Sequence, residues 1–441
     1  MVKTPNLFQY PKQWMRNGFL RNIGWLSLGM IVTRVFRLGI TVMVARTFAP
    51  EAYGQIALVF TVYEVASLLM QRCTTVKLVQ APAGELPGLC RTTYKLNWAL
   101  AVGLMLGQCL AGGIVSRLYE QPQLLYPICL LGISHLIMPM GMIHCALNVR
   151  AGKMDLIARI DVCQTFIELL VIGGLLAIGL GIWALIIPKA LIGIIWVIGH
   201  RSASAWRYRR SESRGAWRPI LRYSSGLLFV DGLQVLRQNA DYLIVGYVLG
   251  IEALGLYFFA FNAGLGIATT FAGAINSALL PHLCQSGKEG EPLEKRFISS
   301  LKVVSLLVGS LVLVQSSMAA IYVPLVFGEE WAERGSVPLI VTLCLAALPK
   351  TLFDSGSQYL RALDHPARDV RAHVALTGIL LMAIGVGVHY GPLGVAAGVL
   401  TAHSLGAAVM LWQCLLPPHQ TIRNPDLSAT TNQEANAICK I

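Results

Sequence analysis

The feature that most constrains this chain is an apolar run of about 20 residues that recurs along its whole length. A helix of that length crosses the roughly 30 Å of hydrocarbon in a bilayer. Charged residues make up only 13% of the chain, about half the fraction found in soluble domains. Within lipid only helices and closed barrels satisfy their own backbone, and these runs lack the alternating pattern of barrel strands. The sequence therefore predicts an all-α polytopic membrane protein.

Twelve transmembrane helices are predicted, six in each half of the chain. Their approximate bounds are 23–46, 53–75, 96–117, 124–147, 160–179, 183–200, 223–248, 253–281, 300–327, 336–360, 372–390 and 392–415. The fifth and sixth spans form one apolar run that is too long for a single helix, so we divide it between Gly179 and Gly181. The first span is not predicted to be a cleaved signal peptide, because arginines interrupt it and it lacks a short apolar core.

These spans divide the chain into five segments. A cytoplasmic interfacial N-terminus, 1–22, precedes an N-terminal six-helix bundle, 23–200. A basic cytoplasmic linker, 201–222, leads into a C-terminal six-helix bundle, 223–415. The polar residues 416–441 are predicted to form a disordered cytoplasmic tail.

Lysine and arginine are distributed unequally between the two sides of the membrane. With the N-terminus in the cytoplasm, 27 of the 35 lie in cytoplasmic segments, three lie outside and five lie within spans. This asymmetry follows the positive-inside rule, so it explains the net charge of +13 and predicts that both termini are cytoplasmic. Seven of the arginines lie in the linker. We attribute them to topology and to contact with anionic lipid head groups rather than to nucleic-acid binding.

Motifs for enzymatic chemistry are not found in the sequence. The ten cysteines are scattered without the spacing of a metal site, and neither a Gly-rich phosphate loop nor a nucleophile motif occurs. The longest loop, of about 20 residues, leaves no room for the nucleotide domain of an ATP-driven pump. We therefore expect no metal, no cofactor and no catalytic residue.

The two halves carry related turns. Residues 44–60, VARTFAPEAYGQIALVF, align without gaps to residues 245–261, VGYVLGIEALGLYFFAF, at an offset of 201, and Gly54 pairs with Gly255. Six spans per half is an even number, so both halves face the same way, as in a parallel repeat about an axis along the membrane normal. Such bundles usually rock against each other around a central cavity, which predicts alternating access.

Residues 237–283, RQNADYLIVGYVLGIEALGLYFFAFNAGLGIATTFAGAINSALLPHL, resemble the seventh and eighth helices of oligosaccharide-lipid flippases. The turn ARTFAPEAYG, residues 45–54, is similar to the first turn of the same proteins. These are the O-antigen and exopolysaccharide flippases of the multidrug/oligosaccharidyl-lipid/polysaccharide exporter superfamily. The resemblance covers essentially the whole chain in span number and order. It implies two six-helix bundles around a central cavity, in the cell (inner or plasma) membrane.

Ten charged residues are predicted to lie inside the spans and away from their ends: Arg34, Arg37, Glu64, Glu168, Lys189, Asp231, Arg237, Asp241, Lys350 and Asp354. A charge at the bilayer centre costs about 2.5–3.5 kcal/mol on insertion scales, so such residues tend to face a cavity or a partner. We predict that the basic ones form a cationic cavity wall for the pyrophosphate of the implied substrate, since arginine binds phosphate oxygens bidentately. The members of this wall are Arg34, Arg37, Lys189, Arg237 and Lys350.

The buried acids are candidates for ion coupling or for pairing with these cations: Glu64, Asp231, Asp241 and Asp354. The alternative for the arginines is that they pair with acids and merely hold helices together. Arg237 and Asp241, one helical turn apart, are the strongest case for such a pair. The seventh span is polar enough to line the cavity through Gln234, Gln238 and Asn239.

The resemblance implies a flippase that moves a polyprenyl-pyrophosphate-linked oligosaccharide, a polysaccharide or O-antigen precursor, from the cytoplasmic to the outer leaflet. Its expected partners are this substrate, membrane lipids and other polysaccharide assembly proteins. Two alternatives stay open. A cation-coupled multidrug exporter of the same superfamily often takes cationic substrates, which five buried basic residues disfavour. A polymerase, or another non-transport component of polysaccharide assembly, is expected to carry a large outer loop, whereas the outer loops here are short.

The predicted topology places Ser211 in the cytoplasm and Gly335 outside. In a background with the native cysteines replaced, we expect a membrane-impermeant maleimide to label Gly335→Cys in intact cells and Ser211→Cys only after the membrane is opened. Labelling of both positions from the same side would contradict the twelve-span topology.

Overall fold

The computed structural model describes residues 18–72, 78–79, 81–82, 84–208, 235, 237–284, 292–363 and 365–415. This part of the chain consists of α-helices joined by short turns and contains no β-strand. Several predicted features lie outside the described residues. They are the N-terminal segment up to residue 17, most of the linker, the tail from residue 416, and the site candidates Asp231 and Gln234.

By its contacts the chain divides into two compact units, Met1–Gly255 and Leu256–Ile441. Helices α1 to α9 belong to the first unit, and α10 begins in it. Their bounds are Gly18–Thr47 (α1), Pro50–Arg72 (α2), Leu86–Leu118 (α3), Leu125–Ile137 (α4), Pro139–Arg150 (α5), Met154–Ala177 (α6), Trp183–Leu191 (α7), Gly193–Ser202 (α8), 237–249 (α9) and Ile251–Ala263 (α10). The predicted boundaries of the two six-helix bundles stay a prediction.

The second unit contains most of α10 and the remaining described helices. Their bounds are Leu265–Cys284 (α11), Leu293–Ser317 (α12), Ala319–Tyr322 (α13), Glu329–Glu333 (α14), Ser336–Ala362 (α15), Pro366–Gly387 (α16) and Gly391–Leu415 (α17). A five-residue π-helix, Val323–Phe327, lies between α13 and α14. Within this unit α15 packs against α11, α12 and α17, so α15 is its central helix.

Length and composition mark these helices as membrane spans. Eight described stretches are long and apolar enough to cross a bilayer, and a ninth is added if a bent helix pair is counted as one span. Large apolar side chains face outward, such as Leu110 and Leu306, which are each 72% exposed. Helices whose outer surfaces are apolar are stable in lipid, where no hydrophobic penalty opposes that exposure. The protein is therefore a multi-pass membrane protein, and the predicted fold class is confirmed.

Where the structure describes the predicted spans, they coincide largely with helical residues, although several helices differ from the prediction in their ends. Helix α3 begins at Leu86 and α6 at Met154, six to ten residues before the predicted starts. The apolar pattern could not locate these ends, because a helix continues past the hydrocarbon through polar turns that satisfy their own backbone. One span is also broken, since α4 and α5 meet at Pro139 with a bend of 49°. Proline lacks the N–H that would continue the helix and clashes with the preceding turn.

The last two helices form an antiparallel hairpin. The stretch Ala367–Leu415 is helical and apolar over most of its length, but the chain reverses at Gly391, whose φ is +77°. Side by side in α16 and α17, the backbones of Gly387 and Gly394 approach so closely that a Cβ on either would overlap the carbonyl of the other. Small residues permit such close helix packing in lipid, where van der Waals contact is a main source of association.

Gly54 and Gly255, equivalent positions of the predicted repeat, lie against each other within the first unit. A Cβ on Gly54 would overlap the carbonyl oxygen of Ile251, and a Cβ on Gly255 would overlap the carbonyl oxygen of Pro50. The first turn of α2 and the first turn of α10 are thus packed backbone against backbone. At both positions of the repeat, the close backbone contact leaves no space for a Cβ, which explains why the residue is glycine.

We expect Gly255→Ala to lower the melting temperature of the purified protein clearly. The added methyl group meets backbone rather than a side chain that can rotate away, and overpacking of this kind costs about 1–3 kcal/mol. Gly113→Ala in α3 is the matched control, because a methyl group there meets no atom within 4 Å. Equal melting temperatures for the two variants would show that the glycine contact is not required.

Candidate functional site

A polar cavity of about 400 Å³ lies inside the first unit. Its wall combines charged, amide, hydroxyl and aromatic side chains with a few apolar ones. The lining residues are Arg37, Tyr63, Glu64, Ser67, Leu68, Ser134, Met138, Asp161, Gln164, Lys189, Ile192, Gly193, Trp196, Val235, Gln238 and Asn239. They come from α1, α2, α4, α6, α7, α8 and α9 and from the junctions between α4 and α5 and between α7 and α8. Residues distant in sequence therefore converge on one space.

Five residues predicted from the sequence line this cavity: Arg37, Glu64, Lys189, Gln238 and Asn239. Arg37 in α1 is exposed towards the space, whereas Asn239 in α9 is buried and donates its amide to the carbonyl of Val235 at 3.0 Å. The structure thus brings together predicted residues from the first, second, sixth and seventh spans.

Lys189 is held at the cavity wall by an ion pair. Its Nζ lies 3.5 Å from Glu168 Oε1, with side-chain exposures of 31% and 10% respectively. Pro188 precedes it, and the Ile192 N–H bonds to the Pro188 carbonyl at 2.7 Å where α7 ends. The pairing satisfies the buried carboxylate of Glu168 and leaves the lysine partly open to the cavity.

Arg37 interacts electrostatically with two carboxylates, Glu64 on α2 and Asp161 on α6. Lys189 also interacts electrostatically with Glu64. The cavity lining therefore contains two cations and two carboxylates. Glu168, which is not among the lining residues, pairs with Lys189. In this cavity the predicted cationic wall is a charge-balanced set, in which every cation has an acid within electrostatic reach.

Three further predicted site residues of the first unit that the structure describes, Arg34, Arg237 and Asp241, are not among the residues lining this cavity. Arg34 lies one turn before Arg37 in α1 and is half-buried, and its Nε has no hydrogen-bond acceptor among the described residues. Arg237 is half-buried in α9, and Asp241 is 5% exposed with its Oδ1 accepting the N–H of Tyr242 at 3.0 Å.

Two predicted residues belong to the second unit. Lys350 and Asp354 lie one helical turn apart in α15, and both are half-buried. Lys350 follows Pro349, which lies inside the helix.

Sequence reasoning missed Asp161 and Gln164, which line the cavity from α6. The predicted fifth span begins at residue 160, which would put Asp161 at the membrane edge. The helix begins at Met154 instead, which places Asp161 two turns inside it. The polar positions Asp161, Gln164 and Glu168 are spaced three and four apart and therefore share one face. That periodicity is the signal that could have identified them.

The aromatic lining was also missed. Tyr63 stacks on His135 with ring centroids 5.6 Å apart and 15° between planes. His135 Nε2 lies 2.7 Å from Gln108 Oε1, while Gln108 Nε2 donates to the Ile128 carbonyl at 2.7 Å. Because the amide nitrogen of Gln108 donates to Ile128, the contact with His135 is made by the amide oxygen, which accepts a hydrogen bond from His135 Nε2–H. This buried network fixes the ring beneath Tyr63 at the cavity wall.

The chain is similar in sequence to known proteins over most of its length. The model of a family described as polysaccharide biosynthesis protein matches residues 43–361. The lipopolysaccharide biosynthesis protein WzxC of Escherichia coli is 21% identical over 416 residues, which cover 91% of this chain and 82% of that protein. The succinoglycan biosynthesis transport protein ExoT of Rhizobium meliloti is 22% identical over 346 residues, which cover 77% of this chain and 68% of that protein.

A solved structure shares the fold. An inward-facing multidrug resistance MATE family transporter of the MOP superfamily superposes with a TM-score of 0.73 at 12% sequence identity, covering 95% of this chain and 99% of that one. At this identity the likeness shows the fold alone. Because the family model spans well over half of the sequence, the chain belongs to the polysaccharide biosynthesis protein family, which agrees with the resemblance to polysaccharide-pathway proteins noted in its sequence.

Proposed function

We propose that this protein is a flippase that moves a polyprenyl-pyrophosphate-linked oligosaccharide from the cytoplasmic to the outer leaflet of the cell membrane. Membership in the polysaccharide biosynthesis protein family supports this function, as does similarity to a relative named as a succinoglycan biosynthesis transport protein. Both termini are cytoplasmic in this proposal, in accordance with the positive-inside distribution of lysine and arginine.

The observation that carries the proposal is the polar cavity with Arg37 exposed in its wall. A pyrophosphate does not cross bare hydrocarbon, because an unpaired charge in the bilayer is costly. Arg37 offers a permanently charged, forked donor that matches phosphate oxygens. The amide side chains of Gln164 and Gln238 offer neutral hydrogen bonds, which suit the hydroxyl groups of a sugar.

The helix breaks support alternating access as the mechanism. Met138, at the bend between α4 and α5, and Ile192, between α7 and α8, both line the cavity. Discontinuous spanning helices commonly form the binding sites of secondary transporters, whose bundles rock around a fixed site. In the proposed cycle the bend at Pro139 lies where the access of the cavity changes from one side of the membrane to the other.

A cation-coupled multidrug exporter is the second candidate, and the carboxylates of the cavity are the observation that favours it. Glu64 and Asp161 lie in the wall beside Arg37, and acids of this kind attract cations. Under the flippase proposal the same two acids set the resting charge balance and serve as candidates for ion coupling. Drug export without any effect on lipid-linked oligosaccharide would favour the exporter.

We expect Arg37→Ala to reduce translocation of lipid-linked oligosaccharide by about ten-fold or more while membrane abundance stays normal. A hydrogen bond to a charged group is worth roughly 1.5–3 kcal/mol, and about 1.4 kcal/mol corresponds to a factor of ten. Arg37→Lys keeps the charge but loses the fork, so it should recover part of the activity. Export and abundance are measured together in cells that lack the native protein.

Arg117→Ala is the matched control, since Arg117 is exposed at the far end of α3 and does not line the cavity. It should leave translocation unchanged. Full activity of a normally abundant Arg37→Ala variant would refute the role of Arg37 in the substrate path.

The Lys189–Glu168 pair gives a separate prediction about stability. Glu168→Gln removes the carboxylate that pairs with the partly buried lysine and leaves it only the electrostatic interaction with Glu64. We therefore expect a loss of ~1–3 kcal/mol, below the roughly 3–5 kcal/mol of a fully buried pair. Replacing both residues, as Lys189→Met with Glu168→Gln, should restore most of the melting temperature. Additive losses in the double variant would show that the two residues are not energetically coupled.

A further inference from the structure

A cluster of basic and aromatic residues lies at the end of the first unit where α3 begins. It consists of Arg91, Tyr94 and Lys95 on α3 and of Trp206 and Tyr208 from the segment that follows α8; we call it the basic aromatic cluster. Arg91 is 9% exposed, and Tyr208 is 39% exposed. The cluster is separate from the cavity, since none of its members is among the residues that line that space.

Aromatic contacts attach the start of the linker to α3. The ring of Tyr94 lies 5.7 Å from that of Trp206 and 5.4 Å from that of Tyr208, measured between centroids. Trp206 also meets His144 edge-on at 5.4 Å. Residues 203–208 therefore follow a defined path across the helix ends, and Lys153 Nζ donates to the carbonyl of Ala203 at 2.8 Å along that path.

Positive charge surrounds both the phenol of Tyr208 and the ring of His144, which Trp206 contacts. Tyr208 hydrogen-bonds to Arg91, and this bond lowers the pKa of its hydroxyl, with Lys95 contributing in the same direction. His144 interacts with Arg201 and Arg207. The electrostatic interactions that the described residues provide for Tyr208 and His144 thus involve four cations and no carboxylate.

Hydrogen-bond donors also outnumber acceptors in the cluster. A guanidinium and an ammonium have only N–H donors, and an indole has one donor and no acceptor. The Trp206 Nε1 atom is buried and has no acceptor within the described part of the chain. A ligand that complements such a group carries negative charge and several acceptor oxygens, which is the chemistry of a phosphate.

We propose that the basic aromatic cluster binds the phosphate of an anionic phospholipid head group. Lys95 and Tyr208 are exposed and accessible to it, and tryptophan and tyrosine are enriched at the membrane–water interface. The cluster lies on the side predicted to be cytoplasmic, and that leaflet carries the anionic lipids. The bound head group bridges α3 and the linker, so it fixes the start of the connection to the second half of the chain.

Lipid retention by the purified full-length protein tests this proposal without any transport measurement. Native mass spectrometry in a non-ionic detergent should show that phosphatidylglycerol binds at least about five-fold more tightly than phosphatidylcholine. Lys95→Gln should weaken phosphatidylglycerol binding about five-fold, which corresponds to ~1 kcal/mol per basic residue near a membrane surface. Tyr208→Phe keeps the ring against Tyr94 but removes the hydroxyl. The double variant Lys95→Gln with Tyr208→Phe should therefore bind phosphatidylglycerol about ten-fold more weakly than the unsubstituted protein.

Arg159→Gln is the matched control, because Arg159 is an exposed cation of the same unit that pairs with Asp155. It should leave phosphatidylglycerol binding unchanged. An equal loss in Arg159→Gln, or equal retention of the two lipids, would overturn the site. Polyprenyl pyrophosphate is the third ligand tested. If it displaces phosphatidylglycerol and its own binding depends on Lys95 and Tyr208, the cluster belongs to the substrate path and the phospholipid assignment is wrong.

Discussion

The cost of placing charge in hydrocarbon is the constraint on which the rest of this structure depends. It removes isolated charges from the lipid-facing surfaces and gathers them where each has a partner or water. Arg37, Glu64 and Lys189 come from three different spans, yet they line one cavity with Asp161. Glu168 forms an ion pair with Lys189, with 3.5 Å between Oε1 and Nζ. The same constraint makes the outer surfaces apolar, so the helices pack through small residues such as Gly387 and Gly394.

The sequence was sufficient for the class of fold, because apolar length is a strong signal of spanning helices. The sequence predicted the ends and the breaks of those helices less accurately. Helix α3 begins ten residues before the predicted span, since helical backbone outside lipid needs no apolar side chains. The break at Pro139 was not predicted, although proline is a direct cause of a bend. Repeat alignment singled out Gly54 and Gly255, but only coordinates show that their backbones touch.

The sequence predicted which types of residue form the candidate site better than it predicted which individual residues line it. Arg37, Glu64 and Lys189 were found because each interrupts an apolar run. Asp161 was missed because the helix start was placed too late, which moved it to the membrane edge. Which buried residues share one cavity depends on how helices pack, and a single sequence does not carry that information. Tyr63 shows this most clearly, since its position depends on stacking with His135 from another helix.

The balance of charge in the cavity has a consequence for the proposed transport. A wall of cations alone would bind a pyrophosphate tightly, and tight binding slows release. Arg37 already interacts with Glu64 and Asp161, so an arriving anion competes with these carboxylates for the same guanidinium. That competition lowers the net affinity, and a transport site needs binding that is favourable enough for entry and weak enough for exit. On this argument the acids beside Arg37 are as necessary to turnover as the arginine itself.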